Sequence, residues 1–332
     1  MSAESPLLAA ARGPGLAVTA ELGPPRDPDP EPLRRAARAL SGLVDAVNVT
    51  DNQAATVKCS ALASSAFLLA EGVAPILQMT TRDRNVLALQ GDLLGAHALG
   101  VRAVLALSGD PLSVGPYGEL TRAVSDFDSL GLIALIAAMN KGRLYAGEEL
   151  TTPTAFTVAA AANPLVDTVD KLVQKLDAGA ELLQTNIVFD VERFAAWFAG
   201  VVAAGVADRA PVLVGVTPPR GTAMLERLDR IPGVEVDAAT FSALAGLEGA
   251  EARAAGIAVA ARVIEELRGV PGVGGVHLMA PGWEEEAVPA LVASARLGGP
   301  GASREGGPGA LAAAAGPVDY SGGEALRAAG GP

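Results

Sequence analysis

Two isolated carboxylates and a group of amides and hydroxyls follow short apolar runs in this 332-residue chain. Glu21 closes Leu16–Glu21, and Thr50-Asp51-Asn52-Gln53 ends the run that starts at Val44. Gln78-Met79-Thr80-Thr81-Arg82-Asp83 ends the next, and Ser108-Gly109-Asp110 follows the one after. Asn163, Gln184-Thr185-Asn186 and His277 hold corresponding places later in the chain. Such a set suits proton transfer beside a neutral, hydrogen-bonding ligand. It does not suit hydrolysis by a nucleophile, because no serine-elbow sequence is present and neither His97 nor His277 is placed for a triad. The single Cys59 excludes an intramolecular disulfide framework and a multi-thiolate zinc site, and no metal centre is expected.

Each candidate has a plainer structural role beside the chemical one. Glu21 precedes the rigid Gly23-Pro24-Pro25 turn; a carboxyl held in a poorly solvated mouth keeps its proton more tightly and can act as a general acid. Its structural alternative is pairing with Arg26. Asp110 follows Gly109, where a ligand can approach the backbone closely, although Gly-Asp-Pro is also a turn sequence. Arg82-Asp83-Arg84-Asn85 reads as a helix start with Asp83 as N-cap, or as arginines meeting a phosphate. His97 lies within a helical run and reads as structural. His277, between Val and Leu, reads mainly as core. Gly272-Val-Gly-Gly275 resembles a phosphate loop but precedes the last strand, which places it on the face away from the chemistry.

The elements that must position these residues alternate regularly. Strands are predicted at Leu16–Glu21, Val44–Thr50, Ala74–Met79, Arg102–Leu107, Thr154–Ala159, Glu181–Gln184, Pro211–Val216 and Gly275–Met279. Helices are predicted at Pro32–Leu40, Ser60–Ala70, Asp83–Leu99, Ser129–Asn140, Val166–Leu176, Val191–Ala203, Met224–Leu228, Ala239–Leu267 and Glu284–Leu297. Eight strand–helix units without a returning hairpin imply a parallel sheet covered on both faces. Their span fits an α/β (β/α)8 TIM barrel better than two dinucleotide-binding halves. No G-x-G-x-x-G follows the first strand. Polar residues at the C-terminal ends of barrel strands are then the chemical candidates.

Composition narrows the class further. A net charge of −12, with 4% aromatic residues, argues against a nucleic-acid binder. No apolar run approaches the roughly 20 residues that span a bilayer, so no membrane association and a cytoplasmic location are expected. Residues 1–15 are expected to be a flexible N-terminus and 16–297 the barrel. From Gly298 to Pro332, 15 of 35 residues are Gly or Pro, and this stretch is expected to be a disordered tail.

In order along the chain, these segments resemble the methylenetetrahydrofolate reductase family. They include Glu21-Leu-Gly-Pro-Pro-Arg26, Val47-Asn-Val-Thr50, Pro75 to Asn85, Leu89-Gln-Gly-Asp-Leu-Leu-Gly95 and Leu105-Ala-Leu-Ser-Gly-Asp-Pro111. Asp126-Phe-Asp128, Ala162-Asn-Pro164, Lys175 to Ala180, Gln184-Thr-Asn186, Phe189-Asp190 and Gly275-Val-His-Leu-Met279 complete the series. The resemblance implies a barrel that binds a flavin, usually FAD, and reduces 5,10-methylenetetrahydrofolate to 5-methyltetrahydrofolate, with NAD(P)H as electron donor. It puts Glu21 in the place of the general acid and Asp110 near flavin and folate. It further implies flavin contacts at Thr50, Gln78, Thr80, Gly109, Asn163 and Lys175, and folate contacts at Gln184 and Asn186. Gln78 and Ser108 stand where flavin-bound members carry His and Arg. That leaves FMN, or hydride transfer from NAD(P)H without flavin, as alternatives. The resemblance also allows self-association, a partner redox or methyltransferase subunit, or a non-catalytic folate-binding role in a methyl-transfer complex.

Overall fold

The computed structural model describes residues 5–298; the expected tail lies, apart from Gly298, outside the described residues. Eight parallel strands close into a barrel in sequence order. They are β1 (Ala17–Leu22), β2 (Ala46–Val49), β3 (Pro75–Thr80), β4 (Ala103–Leu107), β5 (Thr157–Ala162), β6 (Leu182–Ile187), β7 (Val212–Val216) and β8 (Val273–Leu278). Outside them run α2 (Glu31–Leu40), α3 (Ala61–Ala70), α4 (Val86–Ala98), α5 (Ser129–Asn140), α6 (Val169–Ala178), α7 (Val191–Ala203) and α8 (Val206–Arg209), then α9 (Thr222–Leu228), α10 (Ala238–Leu244), α11 (Gly249–Arg268) and α12 (Glu284–Ser294). The family-like TIM barrel is therefore the fold.

The period-2 geometry of each strand sorts its residues onto two faces. Val18, Ala20 and Leu22 of β1, Leu77 and Met79 of β3, and Val276 and Leu278 of β8 face outward and pack with Leu33, Leu68, Leu132 and Ile264 of the helix layer. Ala17, Ala46, Ile76, Ala103, Leu105, Ala159, Leu182 and Leu213 face inward as a small apolar cluster at the N-terminal end of the barrel. This end is closed by a helix preceding the barrel, α1 (Pro6–Ala11), whose Leu7, Leu8, Ala10 and Ala11 are buried in that cluster.

Residues 6–11 thus form an ordered plug, where the sequence suggests a flexible N-terminus. The reason is local and tertiary together: Ser5 caps Leu8 N at 3.3 Å, Pro6 starts the helix, and Thr157 Oγ1 donates to Ser5 Oγ at 2.7 Å. Each buried leucine contributes roughly 1.5–3 kcal/mol. Gly274 lies against this plug; a Cβ there would stand 2.9 Å from Ala11 O and 2.8 Å from Pro211 Cβ.

Other differences also have physical causes. Strand β5 is shifted three residues later than predicted, so Ala159–Ala162 lies within the sheet and only Asn163 follows it. Strand β6 runs through Gln184 and Asn186, with a register shift against β7 between Gln184 and Ile187. There Thr185 Oγ1 accepts from Gly215 N at 3.0 Å, substituting for a ladder bond. Helix α4 is capped by Asn85, which accepts from Ala88 N at 3.0 Å, not by Asp83, whose carboxylate is held by Arg82. The helix predicted over 239–267 breaks into α10 and α11 around Gly246 and Gly249, both with positive φ.

Candidate functional site

One step up each strand from the apolar floor, the inward positions become polar. Thr19, Asn48, Gln78, Gln184 and His277 share the inward face with Ala17, Ala46, Ile76, Leu182 and Gly275, and all five are buried. A further step up the same faces stand Glu21, Thr50, Thr80 and Asn186. Strands β4, β5 and β7 supply no polar side chain to the buried middle layer: Leu105, Ala159 and Gly215 stand there. The contiguous strands β8, β1, β2 and β3 therefore form a polar side, to which Gln184 of β6 adds from between the apolar β5 and β7.

Glu21 is the focus of the polar side. Its Oε2 accepts from Gln78 Nε2 at 3.0 Å and lies 3.8 Å from His277 Nε2. Beside it opens a cavity of about 550 Å³. Its wall is formed by Leu22, Gly23 and Pro25 at the end of β1, Pro32, Leu33 and Ala36 of α2, Gln53 and Lys58 after β2, and Ala280–Glu286 after β8, so it opens between β1, α2 and the β8 loop. Glu284 shares this cavity with Glu21. Burial pushes its carboxyl above the usual range and the charge of Glu21 adds to the shift; backbone N–H donors, including Gly282 N at 3.0 Å, and the charge of Arg220 oppose it. Two carboxyl groups in unequal surroundings thus face one cavity.

The other predicted residues fall into separate groups. Thr80 is engaged by Asp51, whose Oδ2 accepts from Thr80 N at 2.9 Å and Thr80 Oγ1 at 3.0 Å. The same carboxylate pairs with Arg84 at 2.7 Å, and Arg84 also reaches Asp92 at 2.8 Å. Arg82 donates to Asp83, to the Asp110 carbonyl at 2.9 Å and to the Asn52 carbonyl at 3.2 Å. The hydrogen bonds from Arg82 hold the Asp83 carboxyl below its usual range despite partial burial. Both arginines are thus tied to carboxylates of the chain itself.

Gly109 has φ +88°, and a Cβ would meet Thr80 Cβ and Arg82 Cβ at 3.1 Å, so only glycine fits that crossing. Asp110 is exposed and does not join Glu21. Its Oδ2 accepts from Ala54 N at 2.6 Å, bracing a turn in which Ala54 and Ala55 are left-handed. Thr50 is buried beside the start of the cavity, its Oγ1 3.9 Å from where a Gly23 Cβ would lie. Asn163 N and Lys175 Nζ both reach Asp167 Oδ2, at 3.0 and 3.3 Å, and Lys175 also donates to the Ala161 carbonyl at 2.7 Å.

Gln184 lies inside β6 rather than at its end, paired with Asn48 across the barrel. Asn186 stands one step nearer the mouth, its Oδ1 accepting from Ile187 N at 2.8 Å. The sequence reading underweights His277 and overlooks Asn48, Thr19 and Glu284. The signal for the first three was available: each lies two residues from another inward position, and the flanking Val276 and Leu278 belong to the opposite face. Glu284 carried no such signal, because Glu284-Glu-Glu286 reads as an ordinary acidic first turn.

Among the described residues no group of His, Cys, Asp and Glu is placed to hold a metal ion, and no helix is long and apolar enough to cross a membrane.

A closed parallel barrel whose strand ends gather a carboxyl among amides and an imidazole defines an α/β-barrel protein with its candidate site at the C-terminal mouth. Residues 9–295 match the model of the methylenetetrahydrofolate reductase family, and the chain belongs to that family. No curated protein matches it in sequence. A solved structure from Clostridium thermocellum, an uncharacterized protein that binds two copies of 5-methyl-5,6,7,8-tetrahydrofolic acid, is similar with TM-score 0.58 and 14% identity over 86% of this chain and 96% of that chain. The 2,3-dimethylmalate lyase structure has TM-score 0.46 and 15% identity, covering 92% of each chain. Oxaloacetate acetylhydrolase has TM-score 0.46 and 13% identity over 87% of this chain and 82% of that chain. At 14% identity the likeness to the Clostridium thermocellum protein is one of fold.

Proposed function

We propose that the protein reduces 5,10-methylenetetrahydrofolate to 5-methyltetrahydrofolate, with Glu21 as general acid. The observation that carries the reading is the placement of Glu21: inward at the mouth, held through Oε2 by Gln78, and open to a cavity of about 550 Å³ in a chain of this family. The similar Clostridium thermocellum protein binds the product of this reaction, which supports a folate in the same kind of mouth. Protonation of the folate nitrogen by Glu21 opens its five-membered ring to an iminium ion. A hydride then reaches the exposed methylene carbon and leaves a methyl group. One proton and one hydride are consumed, and Glu21 is left as a carboxylate facing its Gln78 donor. Lys58 on the cavity wall is available to an anionic tail, and among the described residues it forms no ion pair; Asn186 near the end of β6, outside that wall, offers an amide to a pterin edge.

The hydride source divides into two readings. A bound flavin, FAD or FMN, would supply hydride at the mouth, and Thr50, Gln78 and Asn163 are of a type to meet its ring edge. The pyrophosphate of FAD would need cations, and here the residues fit less well. Arg82, Arg84 and Lys175 each already hold a carboxylate within 3.3 Å. This observation favours FMN over FAD; NAD(P)H carries the same pyrophosphate, and direct delivery of its hydride without flavin is the second reading.

A purified sample titrated with NADH and then methylenetetrahydrofolate tests both. Flavin absorbance that bleaches and returns supports the first; NADH oxidation by a colourless protein supports the second. Glu21→Gln is expected to lower turnover by about 10²–10⁴-fold with folate binding kept. Unchanged turnover overturns the acid role. Folate binding without reduction by any donor makes the protein a binding subunit instead.

A further inference from the structure

Beneath Glu21 runs a line of buried polar side chains that the acid role does not use. Asn48 and Gln184 form a reciprocal amide pair: Asn48 Nδ2 donates to Gln184 Oε1 at 2.8 Å, and Gln184 Nε2 donates to Asn48 Oδ1 at 3.2 Å. Gln184 Nε2 also reaches Thr19 Oγ1 at 3.4 Å, and Thr19 Oγ1 lies 2.9 Å from His277 Nδ1. His277 is only 3% exposed, and its Nε2 points to Glu21 Oε2 at 3.8 Å.

The hydrogens can be counted along this line. Both hydrogens of the Gln184 amide nitrogen are taken, one by Asn48 and one by Thr19. Thr19 Oγ1 therefore accepts from Gln184 and turns its own hydrogen to His277 Nδ1. A neutral imidazole that accepts at Nδ1 carries its proton on Nε2. That N–H faces Glu21. Both groups that address Glu21, Gln78 and His277, address the same oxygen, Oε2, which leaves Oε1 to carry the transferable proton.

We propose that His277 is the positioning residue of Glu21, fixed as the Nε2–H tautomer by Thr19 and Gln184, so that it donates to the carboxylate formed when Glu21 gives up its proton. The inference rests on the acid role proposed for Glu21. The separation of 3.8 Å is longer than a hydrogen bond and closes by about 1 Å to reach one, as the carboxylate gains full charge. The other charged groups on the cavity wall are Glu284, Glu285, Glu286 and Lys58, with Arg220 acting on Glu284. None of these contacts His277 in the way Thr19 does.

The chain contains only two histidines, which makes the tautomer directly readable. In His97→Gln protein, nitrogen-15 correlation spectra of the one remaining imidazole should show a protonated Nε2 and a bare Nδ1. In the same background, Thr19→Val should shift the ring toward the Nδ1–H form. His277→Leu should lower kcat about 10- to 100-fold, the worth of a hydrogen bond to a charged group, with KM for folate little changed. His277→Gln, which keeps a donor near the Nε2 position, should recover most of that loss. A protonated Nδ1 in the folded His97→Gln protein, or full kcat in a folded His277→Leu, overturns the proposal. The spectra need no substrate. Normal turnover in Glu21→Gln with an Nε2–H imidazole would therefore sink the acid reading while leaving the tautomer assignment standing.

Discussion

The two ends of the barrel interior are built from the same strands and solve opposite problems. At the N-terminal end, small and branched apolar residues meet the α1 plug, and the Thr157 hydroxyl among them is matched by Ser5 Oγ. At the C-terminal end, two residues further along β1, β2, β3, β6 and β8, the inward face turns to hydroxyls, amides, an imidazole and a carboxyl. Burial stabilises the first end. The second is stabilised only to the extent that each polar group finds a partner. Within the mouth a further contrast holds. Asp51 has four donors assembled around it, from Thr80 and Arg84, while Glu21 is held by one close amide and faces a cavity. A carboxylate surrounded by its own chain is architecture; one left partly unsatisfied toward open space is available for chemistry.

This contrast can be broken at its strongest point first. Asp51→Ala leaves two N–H donors of Arg84, which keeps Asp92 at its Nε, and two Thr80 donors without their acceptor in a buried place, and is expected to lower unfolding free energy by about 3–5 kcal/mol, measured by denaturant titration. A loss below about 1 kcal/mol would show that Asp51 is not the brace of the mouth. The floor comes next. Leu8→Ala should cost about 3 kcal/mol through the cavity it leaves under the barrel, with turnover per folded molecule unchanged at permissive temperature. A parallel fall in kcat would mean that the two ends are coupled.

The smallest expected effect concerns Glu284. Its raised carboxyl means that the folded protein binds that proton more tightly than the unfolded chain does. The favourable contribution is complete below the ordinary glutamate value of about 4.3 and is lost as pH rises through the folded value. Glu284→Gln should therefore melt higher than the parent near pH 7 and equal to it near pH 4. A difference in Tm that does not vary with pH would refute the assignment.

Much of this was legible in the sequence because it is written at short range. Strand-and-helix alternation, the Gly23-Pro24-Pro25 turn and the polar residues after each run need only neighbours to be read. Misjudged boundaries have the same origin. The alanines at 159–162 lack the bulk that distinguishes strand from loop, so only pairing with β4 and β6 fixes the register of β5. Likewise Pro6–Ala11 is too short to be stable alone and becomes a helix because the barrel floor offers it apolar surface.

The chain by itself determined the barrel, its order and the candidacy of Glu21, because eight repeated apolar periods allow few other closures. Only the tertiary structure decided which candidates work together. It separated Asp110 from Glu21 and bound it to Ala54, tied Lys175 to Asp167, and sank Gln184 into a buried pair with Asn48. It also brought His277 to Glu21 from 256 residues away along the chain. Barrel closure pairs β1 with β8, and a contact across that seam between the first and last strands leaves no mark in any local stretch of sequence.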